Sequence, residues 1–160
     1  MAEYKIKVQL LSDTMFGSGE VVPGFIDMEL LYDEYGLPYL KGKGLKGKLR
    51  EEARHATQCM NQGVEKEDLI NQLFGETEIF SFYTLKFSDL TIDKNIKSLV
   101  KETLANKNSG ITKHDILKSM TSLRNYTSID SNGVAKDGSL RVIRVINRGF
   151  IFYGDIYSVA

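Results

Sequence analysis

The chain has 160 residues, of which 42% are apolar and 26% charged, a composition that predicts one globular domain with a buried core. Lysine and arginine together number 21, as do aspartate and glutamate, so any basic surface must be local. The single cysteine, Cys59, excludes an intramolecular disulfide, and with no secretory pattern in the sequence it favours a cytoplasmic protein. No apolar run approaches the roughly 20 residues that span a bilayer, so we expect no membrane partner.

The first half of the chain shows two strand patterns followed by helices. Apolar and polar residues alternate over residues 4–10, which is the period of a half-buried strand. A second strand is predicted over 25–32, with a turn at 33–36. Helices are predicted over 45–58 and, more briefly, over 69–74.

The second half returns to strand character over residues 80–91, which are rich in β-branched and aromatic side chains. A helix is predicted over 92–105, and Thr112-Lys-His-Asp115 resembles a capping box that opens a further helix. Two strong strand patterns, 140–146 and 150–157, are separated by a turn. We expect these two strands to form a terminal hairpin.

The order of these elements predicts an α+β fold with a ferredoxin-like or RRM-like core, an antiparallel sheet and helices packed on one side. We expect a single domain over residues 1–160. The polar stretch of about 106–137 is too long for a simple connection and is interpreted as an extension from that core.

A glycine- and lysine-rich segment is the chemically most informative part of the sequence. Residues 41–50 contain five positive charges, three glycines and no negative charge. Glycines let a backbone approach a ligand closely, and a helix start adds unpaired N–H donors, so the segment predicts phosphate binding. The alternative is a solvated helix face. The candidate RNA-binding residues are Lys41, Gly42, Lys43, Gly44, Lys46, Gly47, Arg50 and Arg54.

A nucleotide-binding P-loop is an alternative of another class, because Gly42 to Lys48 satisfies the spacing G-x-x-x-x-G-K. Leu49 then occupies the position that needs Ser or Thr to hold magnesium. The preceding segment 37–40 is short and contains proline, unlike the buried strand that leads into a P-loop.

The stretch 24–50 resembles the signature of the RAMP superfamily of CRISPR-associated proteins, in particular the backbone-forming subunits of type III effector complexes. The residues that carry the resemblance are Asp27, Asp33, Pro38, the Gly-x-x-Leu-Lys-Gly-x-x-Arg core over 42–50, Leu73-Phe-Gly75 and the stretch 127–144. Where many relatives carry Pro-Gly-Ser-Ser, this sequence has Lys41-Gly-Lys-Gly44. It also lacks the late glycine-rich loop and final strand of the family, so we expect either a short member or the amino-terminal part of a longer protein.

The resemblance implies a subunit that binds CRISPR RNA, assembles with other effector subunits and with copies of itself, and meets target RNA in antiviral defence. It also implies that the extension 106–137 acts as a thumb that kinks the guide–target duplex. Asp27 is then the catalytic candidate, an endoribonuclease residue assisted by a divalent metal ion such as Mg²⁺. Arg124 and Arg141 are further candidate RNA contacts. The alternatives are a non-catalytic RAMP subunit that anchors or caps the guide, and an Asp27 that is only an outward-facing strand residue.

Overall fold

The computed structural model describes residues 3–59, 64–75, 85–106 and 108–158. The chain divides into two compact units: residues 1–7, 40–90 and 153–160 form unit 1, and residues 8–39 and 91–152 form unit 2. In chain order the elements are β1 (Glu3–Gln9), α1 (Gly42–Cys59), α2 (Val64–Phe74), β2 (Leu85–Phe87), α3 (Lys94–Ala105), α4 (Lys113–Met120), β3 (Thr121–Tyr126), β4 (Arg141–Ile146) and β5 (Ile151–Ser158).

Helices and antiparallel strand pairs together confirm the predicted α+β class. One sheet has the strand order β1-β5-β2, and most of its residues belong to unit 1. Strands β2 and β5 run antiparallel, with Leu85 opposite Ser158 and Phe87 opposite Ile156. A second sheet joins β3 and β4 within unit 2. The ferredoxin-like arrangement of the core stays a prediction.

The predicted terminal hairpin is wrong, although both of its strands exist as β4 and β5. These strands belong to different sheets, because both edges of β4 are already occupied. Strand β3 pairs along one edge, from Thr121 opposite Ile146 to Tyr126 opposite Arg141. Residues 27 and 28 bond to the backbone on the other edge.

Several element boundaries also differ from the prediction. The predicted strand over 25–32 appears only as isolated bridges, such as Gly17 with Leu30 and Tyr32 with Pro38. Helix α2 starts at Val64, five residues earlier than expected, and within the described part of the predicted strand 80–91 the strand β2 covers Leu85–Phe87. Residues 80–84 of that prediction lie outside the described residues.

The core of unit 2 packs around Phe152, Ile146, Leu30 and Val145, which are at most 2% exposed. The stretch 106–137 contributes to it, since α4 and the start of β3 are buried at Leu117, Met120 and Thr121. A thumb function for this stretch stays a prediction. None of the described helices is long and apolar enough to cross a membrane.

The predicted capping box is present at the start of α4. The Thr112 side chain accepts a hydrogen bond from the Asp115 amide, and the Asp115 carboxylate accepts one from the Thr112 amide at 2.9 Å. We expect Thr112→Ala to lower the free energy of unfolding by about 1 kcal/mol, because the Asp115 amide loses its side-chain acceptor and the Asp115 carboxylate loses the hydroxyl that donates to it. Urea denaturation measures this loss. Thr103→Ala is the control, since among the described residues that hydroxyl bonds only to the Leu99 carbonyl of its own helix. An equal loss there would contradict the capping explanation.

Candidate nucleic-acid interface

The glycine-rich segment forms the first turns of α1 rather than a loop. The helix begins at Gly42, three residues before the predicted start at Leu45. The Gly42 amide donates to Oδ1 of Asp89 at 2.8 Å. The chain's own carboxylate therefore takes one of the amides that a helix start leaves unpaired.

The three glycines of α1 differ in the space around them. A Cβ at Gly42 would lie 2.4 Å from the carbonyl oxygens of both Phe87 and Ser88, so only glycine lets the helix approach this backbone. At Gly44 the nearest side-chain atom would be 3.6 Å away, and at Gly47 no described atom lies within 4 Å. Gly42 thus has a packing role, whereas Gly47 leaves the surface of α1 open.

The predicted basic stripe of Lys46, Arg50 and Arg54 has one member that is engaged within unit 1. The Arg54 guanidinium donates from Nε to Glu67 at 2.9 Å and from Nη2 to Asn71 at 3.0 Å. Both acceptors lie on α2, so Arg54 holds the two helices together and part of its charge is neutralised.

The remaining charge of the stripe lies on Lys46 and Arg50. Partial burial, with repulsion from Arg50 and Lys86, holds the pKa of the Lys46 ammonium below its usual value. Arg50 donates one long hydrogen bond, 3.4 Å, to the carbonyl oxygen of Gly75. No ion pair within the described part of the chain neutralises Lys46, Arg50 or Lys86. We call these three residues the cationic site. Lys86 was not among the predicted residues, because it lies far along the chain from Lys46 and reaches this site through the position of β2.

A groove of about 360 Å³ follows the same helix, with both basic and acidic side chains in its wall. Lys41 and Lys43 are exposed, while Lys48 pairs with Glu51 at 2.8 Å. The groove and the cationic site can together accommodate a phosphate backbone. The lining residues are Gly47, Arg50, Glu51, Arg54, His55 and Gln58.

The geometry does not fit a P-loop. Residues 42–48 are helical, so their amides run along the helix instead of curling around a phosphate. Leu49 also supplies no hydroxyl for magnesium.

The catalytic candidate Asp27 lies in unit 2, exposed beside β4. Its amide donates to the Val142 carbonyl at 2.8 Å, and its Oδ2 accepts from the Val142 amide at 2.7 Å. Oδ1 accepts no hydrogen bond from a described residue. The side chain is thus anchored by one oxygen.

A metal site at Asp27 would need ligands from outside the described chain. Among the described residues, no three or more His, Cys, Asp or Glu side chains are grouped to hold a metal ion. Mg²⁺ is commonly held by one or two carboxylates together with substrate phosphates and water. Asp27 therefore fits a divalent ion only in the company of an RNA phosphate, and the predicted Mg²⁺ stays a prediction.

Arg124, on β3, forms an ion pair with Asp13, at 2.5 Å between Nη2 and Oδ2. This hydrogen bond, with a second one from the Arg148 amide, holds the pKa of the Asp13 carboxyl below its usual value. To contact an RNA phosphate, the Arg124 guanidinium would therefore have to bind it together with Asp13 or release the Asp13 carboxylate.

Arg141, on β4, is exposed, and its Nη1 donates to the carbonyls of Gly138 and Leu140. Arg144 is buried, and as a residue three positions away on the strand it faces the opposite side of the sheet. Of these two arginines, Arg141 is the one available to a ligand. Whether it contacts RNA stays a prediction.

Glu29, beside β4, is a buried charged residue that the sequence analysis did not identify. It is 5% exposed, and its carboxylate accepts from Nε of Arg144 at 2.9 and 3.2 Å. In the sequence Glu29 stands between Met28 and Leu30, and nothing in this local pattern indicates an ion pair. Its partner lies too far along the sequence to be visible there.

Comparison with known proteins places these features in a family. A family model described as the RAMP superfamily matches residues 7–158. A cryo-EM structure of Type III-B Cmr-beta bound to cognate target RNA is similar with a TM-score of 0.68 and 13% identity, covering 100% of this chain and 85% of that chain. The apo state of Type III-B Cmr-beta gives 0.67 and 14%, covering 99% and 84%. No curated protein matches the sequence significantly.

Proposed function

This chain belongs to the RAMP superfamily, and on that premise we propose that it is a CRISPR RNA-binding subunit of a type III effector complex that cleaves target RNA in antiviral defence. The observation that carries RNA binding is the cationic site of Lys46, Arg50 and Lys86, none of which forms an ion pair with a described carboxylate. The similar folds of Type III-B Cmr-beta, one of them bound to target RNA, support the choice of complex. The partners are CRISPR RNA, target RNA, other effector subunits and further copies of this chain.

The cationic site binds the guide through its phosphates rather than its bases. Lys46 and Arg50 are one helical turn apart, a rise of about 6 Å, and Lys86 adds a third charge from β2. Such contacts hold any sequence equally, as a subunit that accepts different guides requires. The open surface at Gly47 lets the backbone come close to α1.

Cleavage is assigned to Asp27. With Oδ2 fixed by the Val142 amide, Oδ1 takes the proton of the attacking hydroxyl while that oxygen bonds to the scissile phosphorus. The bond from phosphorus to the leaving ribose oxygen breaks, and that oxygen takes a proton from water. The chemistry that a bound divalent ion would supply is stabilisation of the negative charge on that phosphate.

A non-catalytic RAMP subunit that anchors the guide is the second candidate function. It is favoured by the structural hydrogen bond that the Asp27 side chain makes to the Val142 amide. The two functions share RNA binding and differ only in what Asp27 does.

RNA binding is tested by changing both Lys46 and Arg50 to Gln. We expect weaker binding of every RNA sequence, and a plot of log affinity against log salt that is shallower by about 1.4, or roughly 0.7 for each lost phosphate contact. Fluorescence anisotropy with labelled single-stranded RNA across a salt series measures both quantities.

The matched control removes two charges elsewhere, through Lys94→Gln and Lys101→Gln. Both lysines are exposed on α3, and neither forms an ion pair with a described residue. An equal fall in slope with this control would mean that only overall charge matters, and would remove the cationic site from the proposal.

A further inference from the structure

A buried ion pair joins the segment that carries Asp27 to β4. Glu29 and Arg144 are 5% and 6% exposed, and Nε of Arg144 contacts both carboxylate oxygens. The same carboxylate accepts the Leu30 amide at 2.9 Å, and Nη1 of Arg144 reaches the Thr121 hydroxyl at 3.4 Å. Among the described residues, no buried polar side-chain atom lacks a hydrogen-bond partner.

The ion pair lies within a short ladder that has one register. Met28 pairs with Ile143, the Arg144 amide donates to the Met28 carbonyl at 3.1 Å, and Asp27 exchanges hydrogen bonds with Val142. A slip of one residue along β4 would displace Asp27 by about 3.3 Å and turn it to the other face. Apart from the ion pair, isolated bridges hold this segment to β4, and they restrict its register only weakly.

A buried ion pair can fix the register of this segment against β4, a role that we call a register lock. A buried ion pair adds little stability over apolar residues of similar volume, because both charges lose their hydration. It tolerates no other alignment, however, since a slip would leave two buried charges without partners. We propose that Glu29 and Arg144 are positioning residues that fix the register of Asp27 against β4. This role rests on the cleavage function proposed above.

The test replaces the pair by apolar residues of similar volume, as Glu29→Leu with Arg144→Met. We expect the thermal midpoint of the full chain to stay within about 5 °C of wild type. Exchange of the Val142 amide, measured by NMR, should accelerate about tenfold relative to that of Ile146. The Ile146 amide is the control, because its partner is Thr14, outside the segment. Unchanged protection of Val142 would overturn the proposal.

A polar double variant, Glu29→Gln with Arg144→Gln, serves should the apolar one fail to fold, because it removes both charges together and leaves neither buried without a partner. Glutamine at position 29 keeps an acceptor oxygen for the Leu30 amide. The same selective acceleration at Val142 is expected, and equal exchange in the variant and the wild type counts against a register lock.

In the assembled complex we expect the double variant to cleave target RNA about tenfold more slowly while its Kd for RNA changes less than about twofold. An unchanged rate, in a complex that Asp27→Asn inactivates, would overturn the positioning role. If Asp27→Asn itself cleaves at the wild-type rate, the proposed cleavage function fails instead. Amide exchange at Val142 then still decides whether the pair sets the register.

Discussion

A complex carrying Asp27→Asn is expected to bind target RNA as tightly as wild type and to cleave it about 10²- to 10³-fold more slowly. Asparagine keeps an oxygen that can accept the Val142 amide, which Oδ2 of Asp27 accepts at 2.7 Å, so the segment should keep its place. It removes the negative charge and the basic oxygen that the proposed reaction uses. Single-turnover cleavage of end-labelled RNA by excess reconstituted complex measures the rate separately from binding.

Asp68→Asn is the matched control for this experiment, because Asp68 is an exposed carboxylate on α2. We expect wild-type cleavage from the control complex. We also expect EDTA to stop cleavage by the wild-type complex and added Mg²⁺ to restore it. Should Asp27→Asn cut at every site at the wild-type rate, the guide-anchoring function would replace the catalytic one.

The second large effect concerns two glycines of the same helix. We expect Gly42→Ala to lower the free energy of unfolding by about 3 kcal/mol, because its Cβ would lie 2.4 Å from two backbone oxygens. Gly47→Ala is expected to raise it by about 1 kcal/mol, since alanine favours the helix and meets no described atom within 4 Å. Urea denaturation of both variants gives the comparison.

The two substitutions are controls for each other, since each adds one methyl group to a glycine of α1. If both raise stability, the approach of Gly42 to residues 87 and 88 is not what requires glycine there. Because Gly47→Ala should be the more stable protein, weaker RNA binding by that variant would identify Gly47 as a contact surface rather than a weak point of the fold.

Local sequence patterns predicted the elements whose stability is local. The alternation in β1 and the capping box of α4 depend on residues within a few positions of each other, and both appear where expected. Strand β3 was not predicted because Thr121–Tyr126 is polar and mostly exposed, so it shows no alternation. Without β3, the sequence offered β5 as the only obvious partner for β4.

The candidate site was predictable as a set of charges but not as a set of pairings. Arg54, Arg124 and Arg144 look alike in the sequence, yet each has a different acidic partner in the fold. Those partners lie 13, 111 and 115 residues away, distances over which no motif or periodicity operates. Lys86, by contrast, was not predicted, because it reaches the cationic site only through the position of β2 in the fold.

The hydrogen bond from Gly42 to Asp89 has a consequence for how this protein can diverge. Because a carboxylate of the chain already accepts one of the amides at the beginning of α1, the proposed attraction for RNA rests on side chains that project from the helix more than on its backbone. Under that proposal, folding depends on Gly42 and its neighbours, whereas the strength of binding depends on Lys46, Arg50 and Lys86. Separate substitutions would then alter the two properties, so that the proposed affinity for a guide could change during evolution while the fold is preserved.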